Sequence, residues 1–176
     1  MFSDPQQIVN QLGLVSGMSI ADIGTGSGEY IAPLARAVGS EGKVYAVDVQ
    51  KDLLERVKNR ADEEGLTNVE VVWANAEKQG GVKIRDNAVS AVFLANVFFQ
   101  IEDREGMFQE IRRILKSDGR VFLVDWKESF GGLGPSDGEL ISENDAEKMF
   151  TEHQFTRVGS IQAGEYHYGI MFEKSV

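Results

Sequence analysis

The chain of 176 residues contains no cysteine, and its only histidines are His153 and His167. Without cysteine the protein can form no disulfide, no cysteine-ligated metal site and no thiol nucleophile. Two imidazoles are also too few for a multi-histidine metal site, so we expect no metal cofactor.

Positive charge is scarce as well, since 18 Lys and Arg residues stand against 28 Asp and Glu residues and give a formal net charge of −10. A surface of this sign does not favour broad contact with the phosphates of DNA or RNA. No apolar run approaches the roughly 20 residues that span a bilayer. Residues 1–7 lack the basic and apolar regions of a signal peptide. We therefore expect a cytoplasmic protein that forms one domain over residues 1–176.

Strand patterns and helix patterns alternate along the chain. Short apolar runs predict five strands, over 18–23, 43–48, 69–73, 89–95 and 121–126. Helical spacing predicts helices between them: an amino-terminal one within 1–14 that starts at Ser3-Asp4-Pro5, one that ends at Gly39, and two over 51–63 and 104–116. This alternation predicts an α/β fold with a mostly parallel sheet and helices on both faces.

The carboxyl-terminal part breaks the alternation. Residues 129–138 are rich in glycine and suit a mobile lid loop. Ser142 resembles the N-cap of a helix that ends near His153. The last two apolar runs, 156–162 and 168–174, predict an antiparallel hairpin.

Three alternating glycines, Gly24, Gly26 and Gly28, follow the first strand and precede a helix. Glycines allow φ > 0 and remove the Cβ atoms that would keep a ligand away from the backbone. A dinucleotide site has the spacing G-x-G-x-x-G, whereas this spacing is G-x-G-x-G, and Glu29 at the helix entrance would repel a pyrophosphate. The neighbouring carboxylate of Asp22 suits a ligand that carries an ammonium group and hydroxyls.

Asp48 closes the second strand, about 20 residues beyond the glycines, where an acidic residue accepts hydrogen bonds from the two hydroxyls of a ribose. Taken alone it could equally be a turn residue at a strand end. Together with Asp22 and the glycine turn, it favours a nucleoside ligand.

These residues resemble the motifs of the class I S-adenosylmethionine-dependent methyltransferases. Asp22, Gly24, Gly26 and Gly28 match the motif D/E-x-G-x-G-x-G, and Asp48 matches the acidic residue that holds the ribose. Residues 74–77, Ala-Asn-Ala-Glu, stand where the family often has Gly-Asp-Ala-Glu, and residues 115–120 resemble the Leu-Lys-Pro-Gly-Gly turn without its proline. The resemblance runs from about residue 15 to residue 172. It is strongest to the small type 11 methyltransferases of the ubiquinone/menaquinone-biosynthesis type.

The resemblance implies a doubly wound sheet of seven strands in the order 3-2-1-4-5-7-6, with S-adenosyl-L-methionine as the cofactor. The ligand is expected outside the carboxyl ends of strands 1 and 4, where the strand order reverses. The cofactor-binding residues expected from it are Asp22, Gly24, Thr25, Gly26, Ser27, Gly28, Asp48, Val49, Asn75, Ala76 and Asn96.

The acceptor of the methyl group is expected to be a small molecule. Its pocket is predicted under Tyr30, Phe98, the loop 127–138 and Tyr166–His167. His167 and Tyr166 are the candidate catalytic residues, because a histidine titrates near neutral pH and can take a proton from an acceptor hydroxyl or amine. A His-Tyr pair that only packs in the sheet is the alternative, and Phe98 and Phe99 can equally belong to the core. Residues 96–99, Asn-Val-Phe-Phe, differ from the Asn-Pro-Pro-Tyr/Phe motif of amino-group methylation.

Two other classes stay open at this point. A nicotinamide-dependent oxidoreductase would bind NADH on a similar sheet, and a non-catalytic protein would bind S-adenosylmethionine without transferring its methyl group. A homodimer in which a second subunit completes the pocket is also compatible with the short chain.

Overall fold

The computed structural model describes residues 4–136 and 138–175, so the predicted helix start at Ser3 and one position of the predicted lid, Asp137, lie outside the described residues. In chain order the elements are α1 (Pro5–Val9), β1 (Ser19–Ile23), α2 (Ile31–Val38), β2 (Lys43–Asp48), α3 (Lys51–Glu63), β3 (Val69–Trp73), β4 (Val89–Ala95), a 3₁₀ turn (Phe98–Gln100), α4 (Arg104–Ile114), β5 (Leu115–Trp126), α5 (Glu143–Glu152), β6 (Phe155–Ser160) and β7 (His167–Lys174).

The seven strands form one sheet in the order β3-β2-β1-β4-β5-β7-β6, which confirms the predicted fold. The first five strands of the chain pair in parallel, whereas β7 is antiparallel to both β5 and β6. The strand order reverses between β1 and β4, and a crevice opens there at the carboxyl edge of the sheet.

Both faces of the sheet are covered, which explains why its central strands are almost continuously apolar. On β4, Phe93 belongs to the cluster that α1, α2 and α3 bury, and its neighbour Leu94 belongs to the cluster that α4 and α5 bury. Neighbouring side chains of a strand point to opposite faces, so one apolar run supplies both cores. None of the helices within the described ranges is long and apolar enough to cross a bilayer.

The predicted boundaries were wrong at the start of β5. The helix expected to reach residue 116 ends at Ile114, and the strand expected from residue 121 begins at Leu115. Lys174 of β7 donates to the carbonyls of Arg112 and Leu115 at 2.8 and 3.0 Å, so a cation satisfies the end of the helix. Leu115 pairs with Val89 across a register shift, and this long-range contact has no local sequence signal.

Smaller differences concern the ends of the chain. The amino-terminal helix is limited to Pro5–Val9, with the side chain of Asp4 as its N-cap, and does not fill residues 1–14. The hairpin strands begin one residue earlier than predicted, at Phe155 and His167.

Candidate active site

The glycine turn joins the carboxyl end of β1 to α2. Gly24, Gly26 and Gly28 have φ values of 72°, 54° and 77°, which L side chains rarely adopt. A Cβ atom at Gly24 would lie 2.4 Å from Val97 Cγ2, and one at Gly28 would lie 2.7 Å from Val57 Cγ2. At Gly26 the nearest atom would be 3.9 Å away, so this backbone faces open space. Gly24 and Gly28 therefore allow close packing against Val97 and Val57, and Gly26 leaves room for a ligand.

Asp22 lies beneath the turn and is only 2% exposed. The hydroxyl of Thr25 donates to its Oδ2 at 2.7 Å. Burial raises the pKa of Asp22 to about 7, the hydrogen bond from Thr25 lowers it, and the nearby Asp48 raises it further. A cation brought near this carboxylate would favour its charged form.

Asp48 is fixed at the end of β2 by two backbone amides. Gly26 N–H donates to Oδ2 and Gln50 N–H donates to Oδ1, both at 2.9 Å. Each carboxylate oxygen has a further lone pair, so the two oxygens can still accept from a pair of hydroxyls. The structure thus brings the turn and Asp48 together as the sequence predicted.

A cavity of about 190 Å³ opens beside Asp48 at the carboxyl ends of β1, β2 and β3. Its walls include Val49, Asn75 and Ala76 of the predicted set. Asn75 Oδ1 accepts from Glu77 N–H at 2.8 Å, as in an asparagine turn. The other residues of this lining are Ile23, Gly24, Val47, Gln50, Ala74, Glu77, Val97, Gln100 and Ile101.

The residues at this cavity and in the adjoining glycine turn fit S-adenosylmethionine. The carboxylates of Asp22 and Asp48 complement an ammonium group and ribose hydroxyls, and the bare backbone at Gly26 permits close approach. Val49 and Ile101 provide apolar walls for a purine base. Ser27 of the predicted set is exposed on the turn. Within the described ranges no cluster of three or more metal-ligating side chains is present.

A second, wider cleft of about 690 Å³ lies on the other side of the segment that follows β4. Asn96, Trp126 and His167 line it together with Leu133 and Gly134, and Pro5, Glu29 and Arg60 complete the lining. Asn96 has a positive φ of 55°. Its Oδ1 atom is buried and has no hydrogen-bond partner among the described residues. Asn96 thus lines this cleft and not the cavity beside Asp48.

His167 is 6% exposed, and its ring lies 4.3 Å from that of Trp126. Both ring nitrogens are buried without a hydrogen-bond partner in the part of the chain that the structure describes. Burial lowers the pKa of His167, so its imidazole is neutral at pH 7 and can accept a proton.

Tyr166 stacks on Phe130 at 4.5 Å between ring centroids. Partial desolvation, with the carboxylates of Glu165 and Glu128, raises the pKa of its phenol. Phe130 and Leu133 are bridged across Gly131-Gly132, so a tight turn lies within the loop predicted as a lid.

Two expected pocket residues belong instead to the core. Phe98 is fully buried and packs against Phe108 and Phe150, and Tyr30 packs against Phe93 at 4.7 Å. Both aromatic side chains are buried because removing their large apolar surface from water is favourable.

Sequence reasoning missed two residues at the site, Asp125 and Trp126. The signal for Asp125 was available, since it is a carboxylate directly after four apolar residues of β5 and is itself only 2% exposed. Leu133 and Gly134 lie in the loop 127–138, where the sequence predicted part of the acceptor pocket, and they line the cleft.

The family model described as Methyltransferase domain (Methyltransf_11) matches residues 21–123. A ubiquinone/menaquinone biosynthesis C-methyltransferase UbiE from Cronobacter sakazakii is 28% identical over 161 residues, which cover 89% of this chain and 59% of that protein. The UbiE of Hahella chejuensis is 28% identical over 121 residues, with 68% and 47% covered. The chain thus spans about half the length of these curated relatives.

The crystal structure of a SAM-dependent methyltransferase from Aquifex aeolicus has a TM-score of 0.89 to this structure, with 29% sequence identity, and the match covers 98% of this chain and 90% of that one. The sheet order is that of the class I S-adenosylmethionine-dependent methyltransferases. Within that class the chain belongs to the type 11 methyltransferase domain family, and its cofactor is S-adenosyl-L-methionine.

Proposed function

We propose that the protein transfers the methyl group of S-adenosylmethionine to a small molecule that binds in the cleft lined by Asn96, Trp126 and His167. One observation carries this proposal. The cofactor cavity and the cleft are lined by consecutive residues, Val97 and Asn96 respectively. Two ligands held in these pockets would meet at one short segment of backbone.

When bound, the cofactor supplies an electrophilic methyl group on a sulfonium that leaves as a neutral thioether. The chain has mainly to hold the two reactants in line, and such positioning can contribute about 7–11 kcal/mol of a barrier. In this proposal Asp22 and Asp48 bind the cofactor, and the glycine turn allows the cofactor to approach the backbone closely. Val97 and Asn96 separate the two pockets.

We further propose His167 as the base for an acceptor that must lose a proton. Its neutral imidazole and its position in the same cleft as the unpartnered side-chain oxygen of Asn96 support this role. Tyr166 keeps its proton because its pKa is raised, but it does not belong to the residues that line the cleft, so its catalytic role stays a prediction. The lid movement of residues 129–138 stays a prediction.

The names of the curated relatives suggest an acceptor class. UbiE is named as a ubiquinone/menaquinone biosynthesis C-methyltransferase. A hydroxylated aromatic ring would suit this cleft as well, because Trp126 offers a flat apolar face and His167 a proton acceptor. We therefore infer that phenols and quinols are the first acceptors to test.

Binding of the cofactor is tested by titration calorimetry with S-adenosylhomocysteine and, in parallel, NADH. We expect S-adenosylhomocysteine alone to bind, and Asp48→Asn to weaken it at least about tenfold, because a charge-assisted hydrogen bond to the ribose is lost. Asp52→Asn, an exposed carboxylate of α3, is the matched control and should bind normally. If Asp48→Asn binds S-adenosylhomocysteine as tightly as the wild type, the proposal that Asp48 binds the ribose is wrong.

Methyl transfer is tested by mass spectrometry on a panel of phenols, quinols and amines. For a hydroxyl acceptor, His167→Gln should lower kcat by about 10²–10⁴-fold at pH 7. His153→Gln is the control, since His153 contacts Met149 and Glu105 away from both pockets. Tight binding of S-adenosylhomocysteine with no product from any acceptor would identify a non-catalytic binding protein instead.

A cytoplasmic location and a homodimer also remain proposals. Cell fractionation tests the first, and light scattering of the purified chain tests the second.

A further inference from the structure

Asp125 is a buried carboxylate at the carboxyl end of β5 that the proposed reaction does not use. Its Oδ2 accepts from Phe99 N–H at 3.2 Å, and its Oδ1 accepts from Trp126 N–H at 2.8 Å. Phe99 lies in the 3₁₀ turn after β4, and Trp126 is a wall of the cleft. One side chain thus ties the end of β5 to the turn that follows β4.

Both pockets depend on the segment that this turn fixes. Asn96, just before it, has a positive φ and lines the cleft. Val97 lies against the glycine turn, where a Cβ atom at Gly24 would overlap it. Gln100 and Ile101, at the other end, line the cofactor cavity. A displacement of the turn would therefore alter both pockets together.

We propose that Asp125 is a positioning residue that holds residues 96–101 in the conformation that binds the cofactor and faces the acceptor. Only the part of this proposal that concerns the acceptor rests on the proposed function. Its effect on cofactor binding can be measured without any methyl transfer, so failure of one does not imply failure of the other.

A carboxylate suits this place because it can accept from two amides at once, and hydrogen bonds to a charged acceptor are stronger than those to a neutral one. A buried charge is costly, which argues against retaining it for packing alone. Burial raises the pKa of Asp125 to about 6, against the lowering effect of the amides of Trp126, Phe99 and Phe98. The carboxylate is thus charged at pH 8 and loses its charge on mild acidification.

The titratable and charged groups near Asp125 and the 3₁₀ turn come from three elements. Tyr168 of β7 is its register partner across the sheet, and the carboxylates of Glu143 and Asp145 on α5 act on Tyr168. Arg104 of α4 lies over the ring of Phe98 at 5.6 Å. Asp125 raises the pKa of Tyr168, as does burial, so this phenol keeps its proton over the range considered.

Asp125→Asn tests the proposal, because an amide can accept from only one of the two N–H groups. At pH 8 we expect S-adenosylhomocysteine to bind about tenfold more weakly, in line with one charge-assisted hydrogen bond. The melting temperature should not fall, since a buried charge is removed, and the Phe99 amide should exchange faster with solvent. Asp118→Asn, an exposed carboxylate on the same strand, is the control and should match the wild type.

The pH profile separates positioning from general stability. Wild-type affinity for S-adenosylhomocysteine should fall in two steps on acidification, one near pH 7 from Asp22 and one near pH 6 from Asp125. The Asp125→Asn variant should keep the first step and lack the second. Wild-type affinity at pH 8 in this variant, or an unchanged second step, would overturn the proposal.

The wild-type chain provides a second test that needs no variant. In amide NMR spectra of the free protein, the Phe99 and Trp126 resonances should titrate together near pH 6, because both donate to Asp125. Resonances that do not move over pH 5–8 would equally overturn the proposal.

Discussion

Asp22 combines opposite effects on stability and on ligand binding. Its carboxylate is buried beneath the glycine turn, with a hydroxyl donor from Thr25 and a second carboxylate, Asp48, nearby. Burial penalises the charged form in the free protein, whereas a bound ammonium group would favour it. A group that destabilises the free protein but suits a ligand is expected at a functional site.

The pH dependence of stability follows from this residue. Its pKa is 3.8 when exposed and about 7 when folded, so between these values the folded state binds more protons than the unfolded one. Asp22 therefore destabilises the fold increasingly as the pH rises from about 4 to 7. We expect Asp22→Asn to be more stable than the wild type at pH 8 by about 1–4 kcal/mol, and to bind S-adenosylhomocysteine more weakly.

Urea unfolding at pH 5 and pH 8 provides the measurement, with Asp118→Asn as an exposed control. The advantage of Asp22→Asn should shrink at pH 5, where Asp22 is protonated in the folded state. If the variant is less stable than the wild type at pH 8, the charge of Asp22 is compensated within the fold and this prediction is wrong.

At the scale of elements, the turn between β1 and α2 works through its contact with the segment after β4. The amides of Gly24 and Thr25 donate to the carbonyl of Val47, which fixes the turn to β2. Val97 lies where a side chain at position 24 would project. Strand, turn and post-β4 segment therefore form one packed unit.

Two glycine variants separate backbone strain from steric overlap. Gly13 and Gly24 both have positive φ, but a Cβ atom at Gly13 meets nothing within 4 Å. We expect Gly13→Ala to cost about 1–2 kcal/mol from the backbone conformation alone. Gly24→Ala should cost about 1–3 kcal/mol more, because Val97 must move.

Chemical denaturation of both variants measures the difference, and adding Val97→Ala to Gly24→Ala should recover part of it. Equal costs at the two positions would mean that Val97 moves aside freely.

Among the described residues, three buried carboxylates have shifted pKa values, and they fall into two groups with opposite roles. Asp22 and Asp125 at the carboxyl edge of the sheet have raised pKa values because burial outweighs their hydrogen bonds. Glu110 of α4 is fully buried, yet its pKa is lowered, because Arg113 and the amides of Gly80 and Val82 outweigh the effect of burial. Glu110, whose charge is compensated by its hydrogen bonds, stabilises the scaffold. Asp22 and Asp125, whose charges are less well compensated, lie at the candidate site.

Removal of Glu110 should therefore destabilise the protein without a direct effect on the site. Glu110→Ala removes one acceptor of Arg113, which keeps Asp86, and the acceptor of the Gly80 and Val82 amides, and we expect a loss of about 1–3 kcal/mol. Because the folded pKa is lowered, this contribution is present above pH 4.5 and is lost on acidification. Thermal unfolding of Glu110→Ala beside Glu105→Ala, an exposed carboxylate of the same helix, makes the comparison.

Much of the fold followed from local patterns. The five alternating strands and the final hairpin were predicted because apolar periodicity reports burial directly, whereas the strand order came from the family resemblance. The start of β5 was not predictable, since it depends on Lys174 and on a register shift with Val89, both distant in sequence.

The sequence alone determined the class of protein and predicted the cofactor half of the candidate site, because Asp22, the glycine turn and Asp48 lie within 27 residues around one strand–turn–helix–strand unit. The sequence also predicted His167 and the loop 127–138 for the proposed acceptor cleft, but only the tertiary structure showed which side chains meet there. Asn96, Trp126 and His167 meet there from three strand ends, and Asp125 joins two of them. Their proximity results from sheet order and burial, which no local spacing encodes.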